Sequence, residues 1–90
     1  MPQAIVDPEE LRRFARSLGK FNTEVENNLT SLRGQMKRLE SSWRDQEQQK
    51  FAEEFQIAMQ AMARFSEAAS QHVPLLLRKA QHIEAYLSQR

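Results

Sequence analysis

The chain has 90 residues, a net charge of +1, two Gly, three Pro and no Cys. A chain of this length forms at most one domain and buries only a modest share of its surface by itself. Its near-zero net charge argues against nucleic-acid or anionic-bilayer binding, and the absence of Cys excludes disulfides and thiolate chemistry. The prevalence of good helix formers predicts an all-α protein.

No targeting or membrane segment is evident in the sequence. Met1 to Val6 lack the basic start and apolar core of a cleaved signal, and apolar residues nowhere form the run of about 18 that a membrane helix needs. We therefore expect a soluble chain with no membrane insertion, cytoplasmic before any export. If it is secreted, the route does not use a cleaved signal peptide.

The first predicted helix covers about 7–40. Asp7 can cap it, Pro8 suits its first position, and Glu10 lies where a capping box needs a carboxylate. Apolar residues then recur at steps of three or four. They are Leu11, Phe14, Leu18, Phe21, Val25, Leu29, Leu32, Met36 and Leu39. A break near Gly19, with Thr23 and a following Glu as a new cap, is an alternative. Continuity is favoured because the apolar period does not slip there.

A tight turn is predicted at 41–42, where the apolar stripe stops. Ser42 is the expected cap of a second helix over about 42–88, with Asp45 at its third position. The apolar period then resumes at the positions Phe51, Phe55, Ala58, Met62, Phe65, Ala69, Val73, Leu76, Ala80, Ile83 and Leu87. Pro74 is expected to kink or to end this helix, and both outcomes remain open.

The lengths of the two helices predict a hairpin with an overhang. A second helix that folds back from Ser42 draws level with the start of the first near Pro74, so that Leu75 to Arg90 would project beyond it. Two helices cannot cover both apolar stripes, and pairing two hairpins into a four-helix bundle would do so. The expected dimer interface comprises Leu11, Phe14, Leu18, Phe21, Val25, Leu29, Leu32, Met36, Leu39, Phe51, Phe55, Met59, Met62 and Phe65, and the tail comprises Leu76, Ile83, Tyr86 and Leu87.

Side chains suited to catalysis or to metal binding are not arranged as those functions require. His72 and His82 are ten positions apart, whereas helical metal ligands are usually three or four apart. Neither a nucleophile elbow nor a phosphate loop is present, so we predict no enzymatic activity and no cofactor. Trp43, at the turn, either fills the space between the two helices at that end of the pair or serves as a docking residue.

Trp43, with Leu39 before it and Phe51 and Phe55 after it in a Cys-free chain of two long helices, resembles the Trp-X-Gly (WXG) family of small ESAT-like proteins. The resemblance implies a hairpin that dimerises into a four-helix bundle and acts as a substrate, co-exported partner or adaptor of a type VII secretion system. Implied partners are the chain itself or a homologous hairpin, and a secretion ATPase. An intracellular coiled-coil adaptor or scaffold subunit with no role in secretion is the alternative.

Two positions depart from the family pattern. The Gly of the motif would fall at Asp45. The family's export element has an acidic residue four positions after a Tyr, and here Arg90 occupies that position after Tyr86. We therefore expect export to depend on a partner that carries the acidic tail, or on residues beyond Arg90.

Overall fold

A computed structural model describes residues 6–89, which form two helices joined by a short turn. Helix α1 spans Pro8–Glu40 and helix α2 spans Gln46–Ser88. The two helices run antiparallel in a hairpin of 68 × 23 × 15 Å. The prediction of an all-α helical hairpin is confirmed.

Helix α1 begins as the sequence predicts and continues without a break. The Asp7 side chain accepts a hydrogen bond from the Glu9 amide at 2.9 Å, and Pro8 is the first helical residue. The helix passes through Gly19, whose carbonyl oxygen accepts a hydrogen bond from the Thr23 hydroxyl at 3.2 Å. Thr23 therefore bonds back to the preceding turn instead of capping a new helix.

The turn covers residues 41–45 and is longer than predicted. The Ser41 and Ser42 hydroxyls donate to the carbonyl oxygens of Arg38 and Leu39, so both serines stabilise the end of α1. Asp45 is the N-cap of α2, and its side chain accepts a hydrogen bond from the Gln48 amide at 3.0 Å. The prediction of Ser42 as the cap, with Asp45 three positions into the helix, is wrong because the serines bond to α1.

Helix α2 continues through Pro74 to Ser88, which decides against a helix end at the proline. The predicted overhang of Leu75 to Arg90 is also wrong, because Glu84 forms an ion pair with Arg12 in the second turn of α1. The position of the turn explains why the end of α2 lies level with the start of α1. Glu40 lines a groove together with Ala52 and Gln56, so the first turns of α2 extend past the end of α1. The extra length of α2 lies largely at the turn.

The core is a narrow line of contact between the two helices, hereafter the seam. Its buried apolar residues are Ala15, Leu29 and Met36 on α1 and Met59, Ala69 and Ala80 on α2. Small side chains supply half of this set and allow the two backbones to approach closely. The larger apolar residues are left mainly at the sides of the seam.

Candidate interaction surface

The residues predicted to form a dimer interface divide into two groups in the hairpin. One group lies in or beside the seam, buried or half-buried: Leu11, Leu18, Val25, Leu29, Met36, Phe55 and Met59. The second group, which we call the apolar face, is exposed: Phe14, Phe21, Leu32, Leu39, Phe51, Met62 and Phe65. Each side chain of the apolar face is between 42% and 57% exposed. Half of the residues predicted to form the interface are therefore exposed in the hairpin.

Helix geometry places the apolar face on one side of the hairpin. Phe14 and Phe65 each come one residue before a buried seam residue, Ala15 and Ser66. One residue is about 100° of rotation, and in antiparallel helices the same rotation on both brings the side chains to the same side. The remaining residues of the apolar face come one residue before or three residues after a residue of the seam. Their side chains therefore point to the same side of the hairpin.

The surface area of the chain supports an uncovered interface. The accessible surface is 7182 Å² for a mass of 10.5 kDa. A compact monomer of this mass exposes about 5400 Å². The excess of roughly a third exceeds the area of about 800 Å² that one partner contributes to a standard protein interface.

Trp43 lies in the turn and is half-buried. Its ring packs against Phe51 of the apolar face with centroids 5.8 Å apart, and its amide donates to the Leu39 carbonyl at 2.9 Å. Phe51 in turn contacts Phe55, with ring centroids also 5.8 Å apart. The three rings form one aromatic cluster that joins the turn to the apolar face.

Asp45 stands at the glycine position of the WXG pattern without backbone strain. Its φ of −91° and ψ of −176° are extended values that any residue adopts. Between Val6 and Gln89 every residue has a negative φ. The hairpin turn of this chain therefore does not need glycine.

The predicted tail residues lie at the open end of the hairpin. Leu76 and Ile83 are half-buried against α1, whereas Tyr86 is 60% exposed and Leu87 is also exposed. Arg90, at the position of the acidic tail residue in the WXG pattern, is outside the described residues.

An ion pair fastens this end of α2 to α1. Both terminal nitrogens of Arg12 donate to the Glu84 carboxylate, one of them at 2.9 Å. The hydrogen bond from Arg12 lowers the pKa of Glu84 below its ordinary value of 4.5, and the same bond raises the pKa of Arg12. The pair lies on the side of the hairpin opposite the apolar face, because Arg12 is three residues before Ala15 and Glu84 is four residues after Ala80.

Three buried residues of the seam were not predicted from the sequence, namely Ala15, Asn22 and Ser66, whereas Ala69 and Ala80 belong to the predicted apolar period. Asn22 and Ser66 are buried, and the Asn22 amide nitrogen donates to the Ser70 hydroxyl at 3.3 Å. A repeat of seven residues could have identified them. Ala15, Asn22, Leu29 and Met36 follow this repeat on α1, as do Ala52, Met59, Ser66, Val73 and Ala80 on α2. The apolar pattern at steps of three or four does not reveal this repeat, because Asn22 and Ser66 are polar.

Metal-ligating side chains do not cluster in the described part of the chain. His72 and His82 are both exposed, and a ring nitrogen of His72 lies 2.9 Å from the Ala68 carbonyl oxygen. Across residues 6–89 no three His, Cys, Asp or Glu side chains are placed to hold a metal ion. Over the same residues, neither helix has a segment apolar enough to cross a membrane.

Comparison with known proteins places these features in a family. No curated protein sequence matches the chain. A crystal structure of the secreted protein EsxB from Bacillus anthracis strain Sterne, determined on a glycine-to-alanine mutant, is similar with 28% sequence identity and a TM-score of 0.74. The similarity covers 93% of this chain and 97% of that one. The family described as proteins of 100 residues with WXG matches residues 3–86, and the chain belongs to this family.

Proposed function

We propose that this chain is a non-enzymatic interaction protein. It pairs through its apolar face with a second helical hairpin, either another copy or a homologue, to form a four-helix bundle. In this form it serves a type VII secretion system as a substrate, a co-exported partner or an adaptor. Family membership and the similarity to a secreted protein support the link to secretion.

The observation that carries the pairing is the apolar face. Seven large side chains are exposed on one side of a hairpin whose buried core is largely alanine and methionine. Such a continuous apolar surface is characteristic of an interface, since monomers rarely leave one of this extent in water. A second hairpin has a matching shape, because two layers of antiparallel helices form a bundle.

The central experiment is the oligomeric state of a charged variant. We expect wild type to be a dimer at micromolar concentration by light scattering, and Phe65→Asp to dissociate it by at least about a hundredfold, because a buried unpaired carboxylate costs several kcal/mol. Ile57→Asp is the matched control. Ile57 is 65% exposed, but it lies outside the apolar face. It is one position off the seven-residue repeat that relates Phe51 to Phe65, and its side chain therefore points about 100° away from theirs.

Three results are informative. Loss of the dimer in Phe65→Asp alone supports pairing through the apolar face. Equal dissociation of both variants argues for general charge repulsion. A folded wild-type monomer with a melting temperature independent of concentration would contradict the proposal.

A partner hairpin is distinguished from self-pairing by mixing. If the natural partner is a homologue encoded nearby, the mixed pair should melt higher than either chain alone. If the chain pairs with itself, adding the homologue should leave its melting temperature unchanged.

A further inference from the structure

A groove runs between the two helices on the side opposite the apolar face. It consists of two adjoining cavities of about 580 and 300 Å³, and Arg33 lines both of them. Arg33 is 21 residues, or three seven-residue repeats, after Arg12, and therefore lies on the same side of α1 as the ion pair with Glu84. The groove stays open when the apolar face is covered.

The floor of the groove is mainly apolar and its surroundings include small residues. Met36 and Met59 are buried beneath the larger cavity, and Leu29 is buried beneath the smaller one together with the polar Ser66. Gly34, Ala52 and Ala63 are also among the lining residues. Flexible methionines can adapt to different apolar side chains, and small residues allow another backbone to come close.

The two walls of the groove differ in the charges that they carry. The middle of the α1 wall, hereafter the basic wall, carries Arg33 and Lys37, and neither has an ion-pair partner in the part of the chain that the structure describes. Glu26 and Glu40 line the ends of the same wall, so the positive charge is local and the wall as a whole is neutral. The α2 wall carries the neutral amides of Gln56 and Gln60. The positive charge is therefore concentrated on one wall, near the middle of the groove.

The acidic residues of the groove lie at its two ends. Glu26 lines the far end of the smaller cavity and Glu40 the end nearest the turn. They are 14 positions apart, which corresponds to about 21 Å, or four turns of helix. This length defines the segment that the groove can accept.

We propose that this groove is a second docking surface, which binds an amphipathic helix of another protein. The helix would place an apolar stripe over Met36 and Met59 and carboxylates beside Arg33 and Lys37. A third helix fits because it fills the space between two antiparallel helices as in a bundle, and its acidic side complements the basic wall. This surface goes beyond the pairing described above, because it lies on the other side of the hairpin.

A synthetic peptide of about four helical turns tests the groove, with Leu at helical spacing and Glu along one side. The amide signals of Gly34, Ala52 and Ala63 should shift when it is added to isotope-labelled protein. Arg33→Glu combined with Lys37→Glu should weaken binding about tenfold or more, because two attractive contacts become repulsive. Arg16→Glu combined with Lys20→Glu is the matched control, since it makes the same charge change outside the groove, and it should weaken binding less than about threefold.

Other results would overturn the proposal. These are equal weakening by the two charge reversals, equal binding of a peptide with the same composition but dispersed Leu residues, shifts confined to the apolar face, or no binding at millimolar peptide. The milder pair Arg33→Gln and Lys37→Gln should also weaken binding while preserving the fold. Light scattering without peptide separates the two surfaces, because the groove variants should keep the wild-type oligomeric state.

Discussion

Ser66 and Ser70 are one helical turn apart on α2, yet their hydroxyls have different environments. The Ser66 oxygen is buried in the seam without a hydrogen-bond partner in the described part of the chain, whereas the Ser70 oxygen accepts a bond from Asn22. A buried polar atom without a hydrogen-bond partner lowers stability. Removal of a hydrogen-bonded atom also lowers stability, because its partner is then left unsatisfied. The two serines should therefore respond in opposite ways to the same substitution.

We predict that Ser66→Ala stabilises the hairpin by about 1 kcal/mol, because it removes an unpaired hydroxyl and introduces a better helix former. Ser70→Ala is the matched control and should destabilise by about 1 kcal/mol, because the Asn22 amide loses its acceptor. Thermal unfolding at one protein concentration measures both. A destabilised Ser66→Ala variant would show that its hydroxyl has a hydrogen bond in solution.

At the level of elements, the two helices follow from apolar periodicity, but their register does not. The steps of three and four predict each helix, and continuity through Gly19 follows from the unbroken period. The apolar stripe is wide enough to serve both the seam and the apolar face. The spacing of large residues alone therefore does not show that Leu29 is buried in the seam and that Leu32 is exposed on the apolar face. The register depends on the competition between Ser42 and Asp45 to begin α2, because both are good capping residues.

The ion pair between Arg12 and Glu84 holds the ends of the two helices together in a pH-dependent way. Its contribution should be present at pH 7 and disappear as the pH falls through the lowered pKa of Glu84, below 4.5, because the pair needs the ionised carboxylate. Glu84→Gln should therefore melt lower than wild type at pH 7, and this difference should shrink at a second pH well below 4.5. Glu67→Gln, which alters an exposed carboxylate of α2 outside this pair, is the control.

Salt provides a second check on this ion pair. Both side chains remain partly exposed, with relative side-chain exposures of 19% for Arg12 and 50% for Glu84. Molar salt should therefore reduce the difference in melting temperature between Glu84→Gln and wild type at pH 7. An equal difference between Glu84→Gln and wild type at both pH values would mean that the variant acts through packing instead of charge.

As a whole molecule, the hairpin is long, thin and incompletely covered. Its 68 Å length and narrow seam leave two distinct surfaces, the apolar face and the groove with the basic wall. Trp43 joins the turn to the apolar face through Phe51, and Tyr86 is exposed at the opposite end. If the two hairpins of the proposed bundle pair antiparallel, the turn of one chain lies near the open end of the other.

The last prediction concerns export. We expect this chain to remain in the cell when it is expressed alone in a host with a working type VII system. The WXG family pattern has an acid four residues after the tail tyrosine, and this chain has Arg90 at that distance from Tyr86. A receptor surface that accepts a carboxylate would repel a guanidinium, and like charges at an interface disfavour binding by several kcal/mol.

The measurement is the amount of tagged chain in the culture medium, with and without a neighbouring hairpin gene. Co-expression should permit export, because the partner then supplies the acidic tail to the pair. Arg90→Glu should permit export without the partner, whereas Arg78→Glu, which reverses an exposed charge on α2, should not. Efficient secretion of the unaltered chain alone would refute the prediction, and export restored equally by both substitutions would show that net charge matters instead of the tail position.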